Sequence, residues 1–108
     1  MPLHNLVVFT NPAPGRNAEF NTWYDEVHLR DVLGVDGFVA AQRFRLAEAQ
    51  LVDDRSFEYL AIYEIEADDV GAALEALNSG SSSMVISDAL DKTTKALAFT
   101  AIGQRIEG

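Results

Sequence analysis

The chain contains no cysteine in 108 residues. Disulfide staples, thiolate nucleophiles and cysteine-ligated zinc or iron–sulfur centres are therefore excluded, and a reducing compartment is expected. Cationic side chains are also scarce. Eight Lys and Arg stand against seventeen Asp and Glu, for a formal net charge of −9. Such a surface repels phosphate backbones and anionic bilayers, so neither nucleic acid nor membrane is expected as a partner. No apolar run approaches the length of a membrane span. Met1-Pro2-Leu3-His4-Asn5 lacks the basic region and cleavage site of a secretory leader, so a cytoplasmic location is expected. Histidines number two, His4 and His28, on different predicted elements, and no ligand spacing such as His-x-x-x-His occurs; no metal site is expected. Phosphate-cradling glycine loops, a Ser-His-Asp set and a flavin fingerprint are all missing, and no cofactor is expected.

What the chain does have is apolar content, 48% of its residues, enough for one domain over residues 1–108. Leu6 to Thr10 reads as a strand closed by the breaker-rich Asn11-Pro12-Ala13-Pro14-Gly15. A helix comes next, with Asn17 as N-cap, running to about Leu33 and stopped by a left-handed Gly34. At 100° per residue Phe20, Trp23, Tyr24, Val27 and Asp31 share its packed face. Phe38 to Leu46 and Phe57 to Ile65 alternate as strands joined by a polar loop. In the first of these, Phe38, Ala40, Gln42 and Phe44 point one way and Val39, Ala41, Arg43 and Arg45 the other. Asp68 or Asp69 caps a second helix that gives way to a flexible Asn78–Ser83 stretch. A helical turn over Met84–Leu90 and a last strand over Ala96–Ile102 complete the chain.

This order, βαββαβ, predicts a ferredoxin-like α+β fold: a four-stranded antiparallel sheet with both helices on one face. The other face is left bare yet apolar, which favours a homodimer with two such sheets packed together.

The segment from Phe20 to Leu33, FNTWYDEVHLRDVL, followed by Val35-Asp36-Gly37-Phe38 and Ala41-Gln42-Arg43-Phe44-Arg45, resembles the EthD-like family of the dimeric α+β barrel superfamily. The pattern Trp-Tyr-x-x-x-His on helix one, then Gly-Phe opening a strand, carries the resemblance. It covers the first half well and the last strand by general pattern. Asp36 departs from the proline common in relatives, a change in a turn. The resemblance implies a dimeric barrel with a pocket between helix and sheet in each subunit. The superfamily spans cyclases, isomerases, monooxygenases, haem-degrading enzymes, dehydratases and decarboxylases, and fold alone does not choose among them.

His28 matches the family's helix-one histidine and titrates near neutrality, so it suits a general acid or base. It is equally read as a partly buried imidazole bonded to a carbonyl or to Asn21. Asp31, one turn on, either orients the imidazole or pairs with a sheet arginine. Tyr24, Tyr59 and Tyr63 offer hydroxyls to a ligand oxygen, or simply fill the core. Trp23 is a packing anchor or a cavity wall, with Asn21 on its shoulder. Arg43 and Arg45 suit a carboxylate, although pairing with Glu58, Glu64 or Asp31 is the commoner use. Three functions are compatible with these residues. The first is a cofactor-independent lyase, cyclase or isomerase acting on a small apolar carbonyl, phenolic or aromatic compound through His28. The second is a non-catalytic ligand-binding dimer, or an accessory of an oxygenase pathway. The third is haem or quinone oxidation chemistry.

Overall fold

Alternating apolar residues pair four strands into one antiparallel sheet, seen in a computed structural model that describes residues 2–108. The elements are β1 (Leu3–Thr10), α1 (Asn17–Trp23), a π-helical turn (Tyr24–His28), α2 (Leu29–Leu33), β2 (Phe38–Arg45), β3 (Tyr59–Glu66), α3 (Val70–Ser81) and β4 (Lys95–Thr100). Their order in the sheet is β2-β3-β1-β4, the expected ferredoxin-like arrangement. No helix is long and apolar enough to cross a membrane among the described residues.

Cross-strand register separates the two faces. Leu6 pairs with Tyr63 and Val8 with Ala61, and these join Phe20, Tyr24, Val32 and Ile65 in the core under the helices. Val7 pairs with Ile62 and Leu97, and Phe9 with Leu60 and Lys95, on the opposite, uncovered face. Phe44, Leu97 and Phe99 stand exposed there. His4 is buried and fully used: its Nε2 donates to the Ala67 carbonyl and its Nδ1 shares a hydrogen bond with the Thr100 hydroxyl, each at 2.9 Å. It thereby ties β1 to β4 and to the β3–α3 link.

Several local expectations are corrected. A bulge lies between Phe38 and Ala40, where two residues of β2 meet one step of β3. Phe38 is thereby carried onto the helix side with Ala41 and Arg43, not onto the face of Ala40, Gln42 and Phe44. The Asn17 side chain caps nothing; Arg16 occupies the N-cap, and the Asn17 amide reaches the sheet instead. Gly34 is right-handed at φ −75°, and the positive φ of that turn falls on Gly37, at 92°. The Asn78–Ser83 stretch is largely helical, since α3 continues to Ser81 once Asp69 caps it through the Ala72 N–H. Ser81, Ser82 and Ser83 return their hydroxyls to carbonyls three residues earlier, which replaces the solvent contacts that would loosen a serine run. Met84–Leu90 is not helical; it crosses as a strap, bridging Leu90 to Pro12 and Ala89 to Ala13.

The largest correction concerns the first helix. It is one rod, but five residues in its middle wind as a π turn. A π turn admits one extra residue, so everything beyond it is rotated by about one position relative to a regular helix. Val32 rather than Asp31 reaches the core, with 2% of its surface exposed, while Val27 turns outward at 36%. The awkward acid that regular periodicity placed on the packed face thus sits half-buried at the side. The same rotation presses His28 inward.

Candidate functional site

Phe20, Trp23, Tyr24 and His28 form a continuous aromatic layer along the rod. Ring centroids lie 6.2 Å apart for Phe20–Trp23, 5.6 Å for Phe20–Tyr24 and 5.3 Å for Trp23–Tyr24. The His28 imidazole stacks on Trp23 at 4.8 Å and meets the edge of Tyr24 at 5.0 Å. The Trp23 indole N–H donates to the Val85 carbonyl at 2.8 Å, so the strap between α3 and β4 is pinned over this layer.

Electrostatics at the layer are set by burial. Desolvation pushes the His28 pKa below its ordinary 6.5, and the nearby Asp31 charge opposes this without reversing it. The imidazole is therefore neutral at pH 7, and its Nδ1 is buried with no hydrogen-bond partner. Neither a backbone carbonyl nor Asn21 takes that role, and Asp31 acts on His28 through its field rather than a hydrogen bond. Tyr63 donates to the Tyr24 hydroxyl at 3.1 Å in the buried core. Burial raises both phenols, Tyr63 strongly, with the Arg43 charge pulling the other way.

A second cluster is built around Arg43, whose side chain is 12% exposed. Its guanidinium lies 4.5 Å from the Tyr24 ring centroid and 5.3 Å from those of Phe20 and Tyr59. Nη1 donates to Asp25 and Nη2 to the Asn21 carbonyl, both at 2.9 Å, while Nε is buried without an acceptor. The expected partners Glu58, Glu64 and Asp31 are not the ones used. The bulge in β2 sets Arg43 on the helix side, and Asp25 is the carboxylate that lies over it. Asn21 in turn donates to the Tyr59 hydroxyl at 3.1 Å.

Two clefts open at this end of the sheet. One, of 1130 Å³, is bordered by Asn21, Asp25, Arg43, Arg45, Glu58 and Tyr59. The other, of 550 Å³, shares Arg45 and Tyr59 with it and continues over Phe9, Phe44, Phe57 and Leu60 on the uncovered face. His28, Tyr24, Tyr63 and Asp31 border neither, and Trp23 lies beside a shallow third hollow on the outer side of α1. Of the nine residues singled out in the sequence, Trp23, Tyr24, His28 and Tyr63 form the aromatic layer and its hydroxyl pair. Asn21, Arg43, Arg45 and Tyr59 gather at the clefts, and Asp31 stands apart. Asp25 and the organising part of Arg43 were missed. Their signal was an acid eighteen residues before an arginine on the opposite element, visible only once the bulge fixes which way Arg43 points. No group of three or more acidic or histidine side chains is placed to hold a metal ion among the described residues.

The topology defines a ferredoxin-like α+β domain with one apolar sheet face left uncovered. Solved structures agree. An EthD family protein from Bacillus halodurans matches 98% of this chain and 100% of its own at TM-score 0.59 and 11% identity. A MhuD variant with two manganese protoporphyrin IX bound per active site matches 97% of this chain and 99% of its own at TM-score 0.67 and 14% identity. A dimeric ferredoxin-like protein of unknown function from Thermobifida fusca matches 93% of this chain and 92% of its own, at TM-score 0.57 and 6% identity. No protein-family model and no curated protein matches the chain. The resemblance to EthD-like proteins is thus met at the level of fold.

Proposed function

We propose that the chain is a homodimeric small-molecule-binding α+β barrel that moves a proton on a small carbonyl, phenolic or aromatic compound, with His28 as the proton-transfer group. The observation that carries this reading is the His28 imidazole, held between Trp23 and Tyr24 with an unpartnered Nδ1. A neutral imidazole is a base at cell pH, and the reaction class would be elimination, decarboxylation, cyclisation or isomerisation. The Tyr24–Tyr63 hydroxyl pair supplies a neutral donor nearby. Dimerisation through the face of Val7, Ile62, Leu97 and Phe99 would cover what a lone subunit leaves open.

A second reading, a binder without chemistry, is favoured by one observation: the two clefts of the β2–β3 end are both bordered by Arg45 and Tyr59, and neither by His28. Sedimentation velocity tests the dimer, with Phe99→Asp expected to yield monomer; a wild-type monomer refutes it. Trp23 emission during titration with aromatic acids, phenols and cyclic ketones tests the ligand. Compounds that shift it are then assayed for turnover with His28→Gln alongside. Turnover lost in the variant supports the base, and turnover retained refutes it. Binding with no conversion by wild type establishes the second reading.

A further inference from the structure

Hydrogen-bond accounting at Arg43 fixes the direction of a neighbouring proton. A guanidinium only donates, so the Asn21 atom 2.9 Å from Arg43 Nη2 is the amide oxygen. The amide nitrogen of Asn21 must then face the Tyr59 hydroxyl, 3.1 Å away, as the donor. Asn17 approaches the same oxygen with its own amide nitrogen at 3.4 Å, while also donating to the Glu58 carboxylate at 3.1 Å. The Tyr59 oxygen therefore accepts twice, and its own O–H has no acceptor among the described residues. Tyr59 borders both clefts.

Of the acids at the clefts, Asp25 is taken by Arg43, Glu58 accepts from Asn17 and Asp54 from Ser56, while Glu48 has no ion pair among the described residues. Arg45, which also borders both clefts, has no ion pair among the described residues. The apolar wall of Phe9, Phe44 and Leu60 lies on the other face of the sheet, away from the Tyr59 hydroxyl.

We propose that the Tyr59 hydroxyl is a hydrogen-bond donor to the oxyanion of a small ligand, a phenolate or a carboxylate. The chain Arg43–Asn21 aims and polarises its proton. Arg43 and Asn21 are positioning residues: neither needs to touch the ligand, and each acts by leaving the Tyr59 proton no other direction. This proposal rests on the small-molecule reading above and holds whether or not His28 performs chemistry.

The probes are 4-nitrophenolate, whose visible absorbance reports its surroundings, and 4-nitroanisole, which keeps the ring and lacks the oxyanion. Wild-type protein is expected to bind 4-nitrophenolate saturably. Tyr59→Phe should weaken that binding about tenfold or more, the effect of losing a hydrogen bond to a charged group, and leave 4-nitroanisole within about twofold. Asn21→Asp is the sharper variant. Its carboxylate accepts from both Arg43 and Tyr59, so the hydroxyl proton turns inward while the fold keeps its bonds. It should weaken 4-nitrophenolate binding more in the wild-type background than in Tyr59→Phe, where only its added charge is felt. Equal losses in the two backgrounds overturn the relay. No saturable binding of 4-nitrophenolate, or equal loss of both probes in Tyr59→Phe, overturns the donor. A dimer whose Trp23 emission responds to other compounds but which ignores 4-nitrophenolate sinks this assignment alone and leaves the small-molecule reading standing.

Discussion

Val27 and Val32 distinguish a π turn from a regular helix by stability alone. In a regular helix Val27 and Asp31 pack inward; with the π turn Val32 does, at 2% exposure against 36% for Val27. Truncating Val32 to Ala removes two buried methyl-sized groups, worth about 1.6 kcal/mol by transfer at ~0.8 kcal/mol each. The small cavity left behind adds to this. Alanine's better helix propensity returns about 0.5 kcal/mol, for a net loss of ~1.5–2 kcal/mol. In a domain of about 100 residues that lowers Tm by roughly 6–16 °C. At Val27 the same propensity gain offsets the little burial lost, and the change should lie within about 0.5 kcal/mol of zero. Thermal melts monitored by circular dichroism, at one protein concentration so that any dimer contributes equally, measure both variants. If Val27→Ala costs more than Val32→Ala, the rod is a regular helix and His28 does not stack on Trp23.

The lowered His28 pKa means that the unfolded chain binds a proton first. Its contribution to stability is therefore intact above about pH 6.5 and is lost as pH falls through the folded-state value, and His28→Gln should remove this step from urea melts run across that range. Because burial raises Tyr24 and Tyr63, neither should ionise at the ordinary 10.0 while the protein is folded. Phenolate absorbance gained at both with circular dichroism unchanged would contradict that pairing. Asp25→Asn should cost no more than about 1 kcal/mol, since Asp25 is 59% exposed and solvent screens its pair with Arg43. Arg43→Ala should cost clearly more by urea denaturation, because the guanidinium also rests on three rings.

Strand order, the two sheet faces and the α3 cap were legible because period-two alternation and an Asp cap are local signals. What escaped were two single-residue insertions, the bulge after Phe38 and the π turn at Tyr24–His28. Each leaves the count of apolar residues unchanged and only rotates the residues beyond it, so no composition or periodicity measure registers it. The consequences fell on the residues of interest. Asp31 was read as buried and is not the residue that packs, and Arg43 was given Glu58, Glu64 or Asp31 when Asp25 holds it. The aromatic members of the site were legible because Trp23, Tyr24 and His28 are close in sequence. Tyr59 and Asn21 meet only through tertiary packing.

The place of β4 has a consequence for synthesis. The first strand is central, flanked by β3 and β4, so it waits longest for its second neighbour. While the ribosome is still delivering residues after α3, the helices and the β2-β3-β1 sheet can already close, leaving one side of β1 as a naked edge. Leu97 and Phe99, which pair with Val7 and Asn5 on the outward face of β1, arrive only with that last strand. In the proposed dimer a nascent subunit would therefore have an incomplete mating surface and could not pair stably with a neighbour on the same message. Chains in which β4 is slow to dock would be the ones that clump, through backbone edges rather than side-chain faces.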